Sequence, residues 1–257
     1  MSSPAEQQPK PVDRDLFGKA PKGKPDWSHR RGEPRQFAIL WLMYLMAATV
    51  LMLASLSAAR AISPSVTRPA ATSMLVVCTV GACVLWPVVR LSQRRPDHPA
   101  RAVATDLPVV VLPVFALVLP QGFWFLAAWS PGVVFTLCGI VAAWSLFVGA
   151  VLAFALGTID RKPERGIART LWAIGFVLIA AGAPIAMALG LAGPGASAFS
   201  PVTALTGLVA DRQASGLIVQ GGAEHVRALG FTFIAAGTAW TGVLGLGIAR
   251  SGTAPTN

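Results

Sequence analysis

FAILWLMYLMAATVLMLASLSAA, residues 37–59, runs for 23 positions without a charged side chain. At 1.5 Å per residue a helix of that length reaches about 35 Å, enough to cross a hydrocarbon layer of about 30 Å with some tilt. Five further stretches share the exclusion, residues 72–89, 107–129, 133–156, 170–191 and 228–249. The 21 Lys and Arg and the 11 Asp and Glu of the 257-residue chain all fall outside these six stretches. Composition agrees, with 54% hydrophobic and 12% charged residues and a mean hydropathy of +0.62, against roughly a quarter charged in soluble proteins. The expected fold is an all-α, polytopic integral membrane bundle of six transmembrane helices.

The charges are unequally shared between the two sides of such a bundle. With the N-terminus inside, 17 Lys and Arg lie on the cytoplasmic side, and only Arg60, Arg68, Arg212 and Arg227 lie opposite. The positive-inside rule therefore predicts an N-in/C-in, multi-pass protein of the cell (inner) membrane. Trp41, Trp86 and Trp172 fall near predicted inner ends, and Trp124 and Trp129 near the outer interface. Residues 1–36 hold six prolines, eight Lys and Arg and five acids, a composition expected of a flexible basic cytoplasmic tail. Residues 250–257 form a second, short cytoplasmic tail. The net charge of +10 points to anionic headgroups at the cytoplasmic face rather than to nucleic acid, because the cations adjoin apolar spans.

Inside the third stretch, Pro108 suits a first helical turn, whereas Pro113 and Pro120 each remove a backbone hydrogen bond and predict kinks. Ser130-Pro131-Gly132 leaves space only for a tight turn, so the third and fourth helices should form an antiparallel hairpin. Pro184 lies within the fifth stretch. Residues 192–227 form an external segment, re-entrant or lying on the surface, with an amphipathic turn or two at 202–209. Its polar candidates for a lid or docking role are Asp211, Arg212, Gln213, Glu224, His225 and Arg227.

Within the spans there is little chemistry. His29, His98 and His225 all lie outside the hydrocarbon, so a bis-histidine haem has no ligands. No span carries the ionisable residue on which proton-coupled transport usually depends. The chain has no H-E-x-x-H, and a membrane Ser or Cys nucleophile lacks a His base. Cys78, Cys83 and Cys138 read as buried thiols; Cys78 and Cys83 stand five apart, about 140° round an α-helix. No cofactor, metal or catalytic residue is expected. Gln121, between Pro120 and Gly122, either bonds carbonyls freed by Pro120 or lines a cavity. Small residues recur every fourth position at Gly182, Ala186 and Gly190 and at Gly237, Thr241, Gly245 and Ala249. That spacing brings helix backbones together within one chain or between chains.

Asp211-Arg212-Gln213-Ala214-Ser215-Gly216-Leu217-Ile218, with Ser200-Pro201 before it and Gly221-Gly222 after, resembles a stretch ahead of the last span in the caa3-type cytochrome c oxidase assembly factor family. The likeness covers about 20 residues. Val219-Gln220 stands where that family has Met-Trp, its intramembrane histidines have no counterpart, and it has about seven spans. The resemblance implies an association with respiratory-complex assembly. Together these readings predict a non-catalytic integral membrane subunit or assembly factor, partnered by lipid and by other integral membrane subunits. The alternative is a carrier or channel for a small neutral or lipidic solute, built on the breaks at Pro113, Pro120 and Pro184 beside Gln121.

Overall fold

The computed structural model describes residues 34–57, 63–93, 96–159, 166–191, 193, 199–210 and 223–251. These are helical apart from short links: α1 (Pro34–Ser57), α2 (Pro64–Val80), a π-turn (Gly81–Leu85), α3 (Trp86–Ser92), α4 (Pro99–Val118), a 3-10 turn (Leu119–Gly122), α5 (Pro131–Thr158), α6 (Gly166–Ala188), α7 (Pro201–Ala210) and α8 (Ala223–Ser251). Five of these helices open on a proline, which lacks the N–H that a first turn leaves unpaired and presets φ for the helix. At α5 the cap is complete: the Ser130 Oγ accepts from Val133 N at 3.4 Å, with Pro131 at the first helical position.

Five helices are long and apolar enough to cross a membrane, namely Phe37–Ala54, Pro64–Ser92, Pro99–Gly122, Pro131–Thr158 and Gly166–Ala188. A sixth, α8, has a shorter apolar section at Leu229–Gly245. The chain is a multi-pass, all-α membrane bundle. Contacts fix the helix directions: Tyr44 meets Val77, Trp86 meets Asp106 and Gly149 faces Leu107 and Val103, so α1, α2–α3, α4 and α5 alternate. Gly139 faces Leu229, and the Trp240 Nε1 donates to Leu146 O at 2.9 Å, so α8 runs parallel to α5. The start of α1 and the finish of α8 therefore share one end of the bundle, here the first end. The second end carries the start of α2, the α4–α5 connection and the finish of α6.

The middle of the bundle is α5, with 67% of its most apolar window buried, against 11% for α6. Leu137, Leu152, Val148 and Trp144 of α5 lie within one core that also takes in Trp41, Leu75, Trp86, Val110 and Phe176. α1 packs tightly against the π-turn that follows α2. A Cβ added at Gly81 would overlap the Tyr44 ring and lie 2.8 Å from the Trp41 Cζ3. The π-turn fits the same contact, because the Tyr44 hydroxyl donates to Val77 O at 2.7 Å, a carbonyl that the Gly81 N–H also reaches. Gly81→Ala is expected to lower stability by about 1–3 kcal/mol through overpacking; chemical unfolding of the detergent-solubilised protein measures it, and an unchanged midpoint would contradict this contact. The π-turn also alters the predicted separation of two thiols. Its wider, i to i+5 turn brings Cys78 and Cys83 both to the buried side, at 0% and 1% exposure, where a regular α-helix would set them about 140° apart.

Several predicted boundaries move. The second span begins at Pro64 rather than at residue 72, with Arg68 and Pro69 inside the helix, and it continues through Arg90 to Ser92. The third was expected to run to Trp129, but its helix begins at Pro99, ends at Val118 and tightens to 3-10 through Gly122. Pro120 cannot donate to the ladder, and residues 123–129 fold instead into a turn in which Leu126 N and Ala128 N both donate to Phe123 O. Pro113 and Pro184 remain inside unbroken helices.

Part of the segment expected to be external folds back into the bundle. The Ser200 Oγ donates to Ala180 O at 2.6 Å, eight residues before α6 ends at Ala188 and so roughly 12 Å below its tip. From there α7 packs among α2, α5 and α6, burying Leu205, Leu208 and Val209. The predicted amphipathic turn at 202–209 is thus a helix inside the bundle, because its apolar face meets protein. The last part of the predicted segment, from Ala223 on, belongs to α8.

Candidate functional site

Polar side chains gather at the two ends of the bundle. At the first end Arg90 of α3 forms a two-pronged ion pair with Asp106 of α4, its Nε to Oδ2 and its Nη2 to Oδ1. The Arg90 Nη1 donates to the Gln93 Oε1 at 2.7 Å, the Trp86 Nε1 donates to the Asp106 Oδ2 at 3.4 Å, and the guanidinium lies 5.7 Å from the centre of the Phe37 ring. Asp106 is 1% exposed. The sequence reading placed both charges in a loop at 90–106; both are helical instead, because each neutralises the other. Both oxygens of this carboxylate are engaged, and the cluster is a clasp joining α1, α3 and α4.

At the second end the start of α2 holds the α4–α5 turn. The Thr67 Oγ1 donates to Leu126 O at 2.6 Å, and the Arg68 Nε donates to Ala127 O at 2.8 Å. Ala128 takes φ 50°, a left-handed conformation costly for a residue with a Cβ; these two bonds and the Trp129 N–H to Gln121 O bond at 3.3 Å hold it there. Gln121 is 5% exposed and its Nε2 donates to Leu117 O at 3.3 Å. Among the described residues its Oε1 has no partner, and neither does the Trp129 Nε1 or the Ser145 Oγ. Of the two tryptophans expected near the outer interface, Trp129 is 1% exposed and Trp124 is 80% exposed.

Three glycines of the small-residue rows have open space beside them among the described residues. A Cβ added at Gly182, Gly237 or Gly245 would meet nothing within 4 Å, Thr241 is exposed and bonds back to Thr238 O at 2.8 Å, and Ala186 is half-buried. Gly190 has a different role: with φ 70° it caps α6, its N–H donating to Met187 O while the Leu191 N–H donates to Ala186 O. Ala249 lies on α8, its side chain outside the described set. So do the side chains of Glu224 and His225, which fall in the first turn of α8, while Arg227 is exposed. Asp211, Arg212 and Gln213 lie outside the described residues.

Between α1 and α2 runs an open groove of about 370 Å³, lined by Ala48, Met52, Pro69, Ala70, Ser73 and Met74 among others. Gln121 is not among its lining residues. Among the described residues no group of three or more His, Cys, Asp or Glu is placed to hold a metal ion. No family model, curated protein or solved structure matches the chain, so the likeness at 211–218 stands on those residues alone.

Proposed function

We propose that the protein is a non-catalytic integral membrane subunit or assembly factor of a larger inner-membrane complex, with both termini cytoplasmic. One observation carries the reading: Gly182 on α6, and Gly237 and Gly245 on α8, have open space where a Cβ would stand. Without a hydrophobic drive between helices in lipid, small-residue rows are a means of close helix packing. Among the described residues these three glycines have no side chain or backbone packed against them. The orientation is supported by the 17-to-4 division of Lys and Arg and by the shared end of α1 and α8. A respiratory complex is favoured by the resemblance at 211–218.

Co-purification from native membranes in a mild detergent tests the reading, with wild type compared against Gly237→Leu/Gly245→Leu. Because nothing among the described residues lies within 4 Å of a Cβ at these positions, the double variant should keep the wild-type melting temperature within measurement error. It should lose most of its stoichiometric partner, tenfold or more. Retention of the partner by a folded double variant would contradict the role given to this face.

A further inference from the structure

At the second end of the bundle a buried cation stands without an anion among the described residues. Arg68 is 5% exposed and lies four residues into α2, about 6 Å from its start. Its Nε is engaged by Ala127 O. Among the described residues its two terminal nitrogens have no acceptor, and the ion pair present is the distant Arg90–Asp106. A guanidinium does not deprotonate in proteins, and buried charge is ordinarily matched by a counter-charge. Four N–H donors in a planar fork suit the oxygens of a phosphate.

The turn that Arg68 holds supplies the second half of the argument. Phe123, Trp124 and Phe125 are uncovered by protein, at 56%, 80% and 49% exposure. The Phe125 ring stacks on Phe123 at 5.6 Å and meets Trp124 edge-on at 5.7 Å. A tryptophan such as Trp124 settles at headgroup depth in a bilayer, with the apolar rings beside it facing the acyl side. Since Thr67 and Arg68 bond successive carbonyls of this turn, the aromatic group and the guanidinium are fixed to one another at that level. Among the described residues two unpartnered buried polar atoms flank this turn, Gln121 Oε1 in the 3-10 turn before it and Trp129 Nε1 at its end.

We propose that Arg68 and the 123–129 turn bind the phosphodiester of a membrane phospholipid, with the terminal nitrogens of Arg68 on its oxygens and the exposed rings beside its glycerol and upper acyl region. The depth set by the aromatic rings favours a lipid over a free phosphate ion. This site is independent of the partner-facing rows on α6 and α8.

The test uses the full chain in dodecyl maltoside. After a delipidating wash, wild type should retain about one phospholipid per chain by mass spectrometry, and adding phosphatidylglycerol in mixed micelles should raise its melting temperature. Arg68→Gln should retain at least tenfold less and show no such rise, with Arg68→Lys between the two. If Arg68→Gln fails to fold, Trp124→Ala keeps the question open to test, because its side chain is largely uncovered; it should fold and retain several-fold less lipid. Equal retention in wild type and a folded Arg68→Gln, or in wild type and Trp124→Ala, would overturn the proposal. So would a melting temperature raised by inorganic phosphate alone with no lipid retained, which would assign the site to a free anion.

Discussion

Asp106→Ala should lower the unfolding free energy of the solubilised protein by about 3–5 kcal/mol, the usual cost of removing one partner of a buried ion pair. The reason lies in what remains. Arg90, only 12% exposed, would keep its charge against the Phe37 ring and Gln93 while losing both carboxylate bonds. The Trp86 N–H would lose its acceptor as well. Removing both charges, as Arg90→Met with Asp106→Leu, should cost much less, because no unpaired ion is left behind. Urea or SDS titration of the single and double variants gives the comparison. A loss below about 1 kcal/mol for Asp106→Ala would mean that the pair behaves as a solvated surface pair.

Trp41→Ala should be comparably damaging, about 3–5 kcal/mol, as for other large aromatics removed from a closed core. Trp41 is 0% exposed, lies against Gly81, stacks on Phe37 and Tyr44 and donates its Nε1 to Val110 O at 3.1 Å. It therefore joins α1 to both the π-turn and α4. Trp41→Phe separates ring from N–H and should lose roughly 1 kcal/mol beyond its volume change. Trp124→Ala, at an uncovered position, should change unfolding by no more than about 0.5 kcal/mol. If the same titration ranked the two tryptophans equally, the packing of α1 described above would be wrong.

The charge-free stretches made the membrane helices legible, because a helix that long and apolar has few other environments. Their ends were harder to read. Arg68, Arg90 and Asp106 served as boundaries in sequence, since a charge is costly in lipid, yet all three are in helices. A backbone carbonyl engages Arg68, and Arg90 and Asp106 pair with each other across sixteen residues, contacts that no local pattern records. Pro120 was readable as a disruption, but that it ends the helix and turns 123–129 back depends on Thr67 and Arg68, far away in sequence. The 202–209 turn was legible as amphipathic; whether its apolar face met lipid or protein depended on the space among α2, α5 and α6. Of the candidate residues, the glycine spacing was visible in sequence. The capping role of Gly190 was not, because it requires knowing that α6 stops at Ala188.

The clasp at the first end and the aromatic contact around Gly81 hold α1 to α4 as one unit, while α6 and α8 lie at its edge with their small-residue rows uncovered. The most direct measurement is the mass of the particle released from native membranes in a mild detergent, by native mass spectrometry with peptide identification. A particle containing this chain and at least one other integral membrane polypeptide in fixed ratio is expected. A monodisperse particle of this chain alone, with no second polypeptide at stoichiometric yield, would contradict the subunit reading.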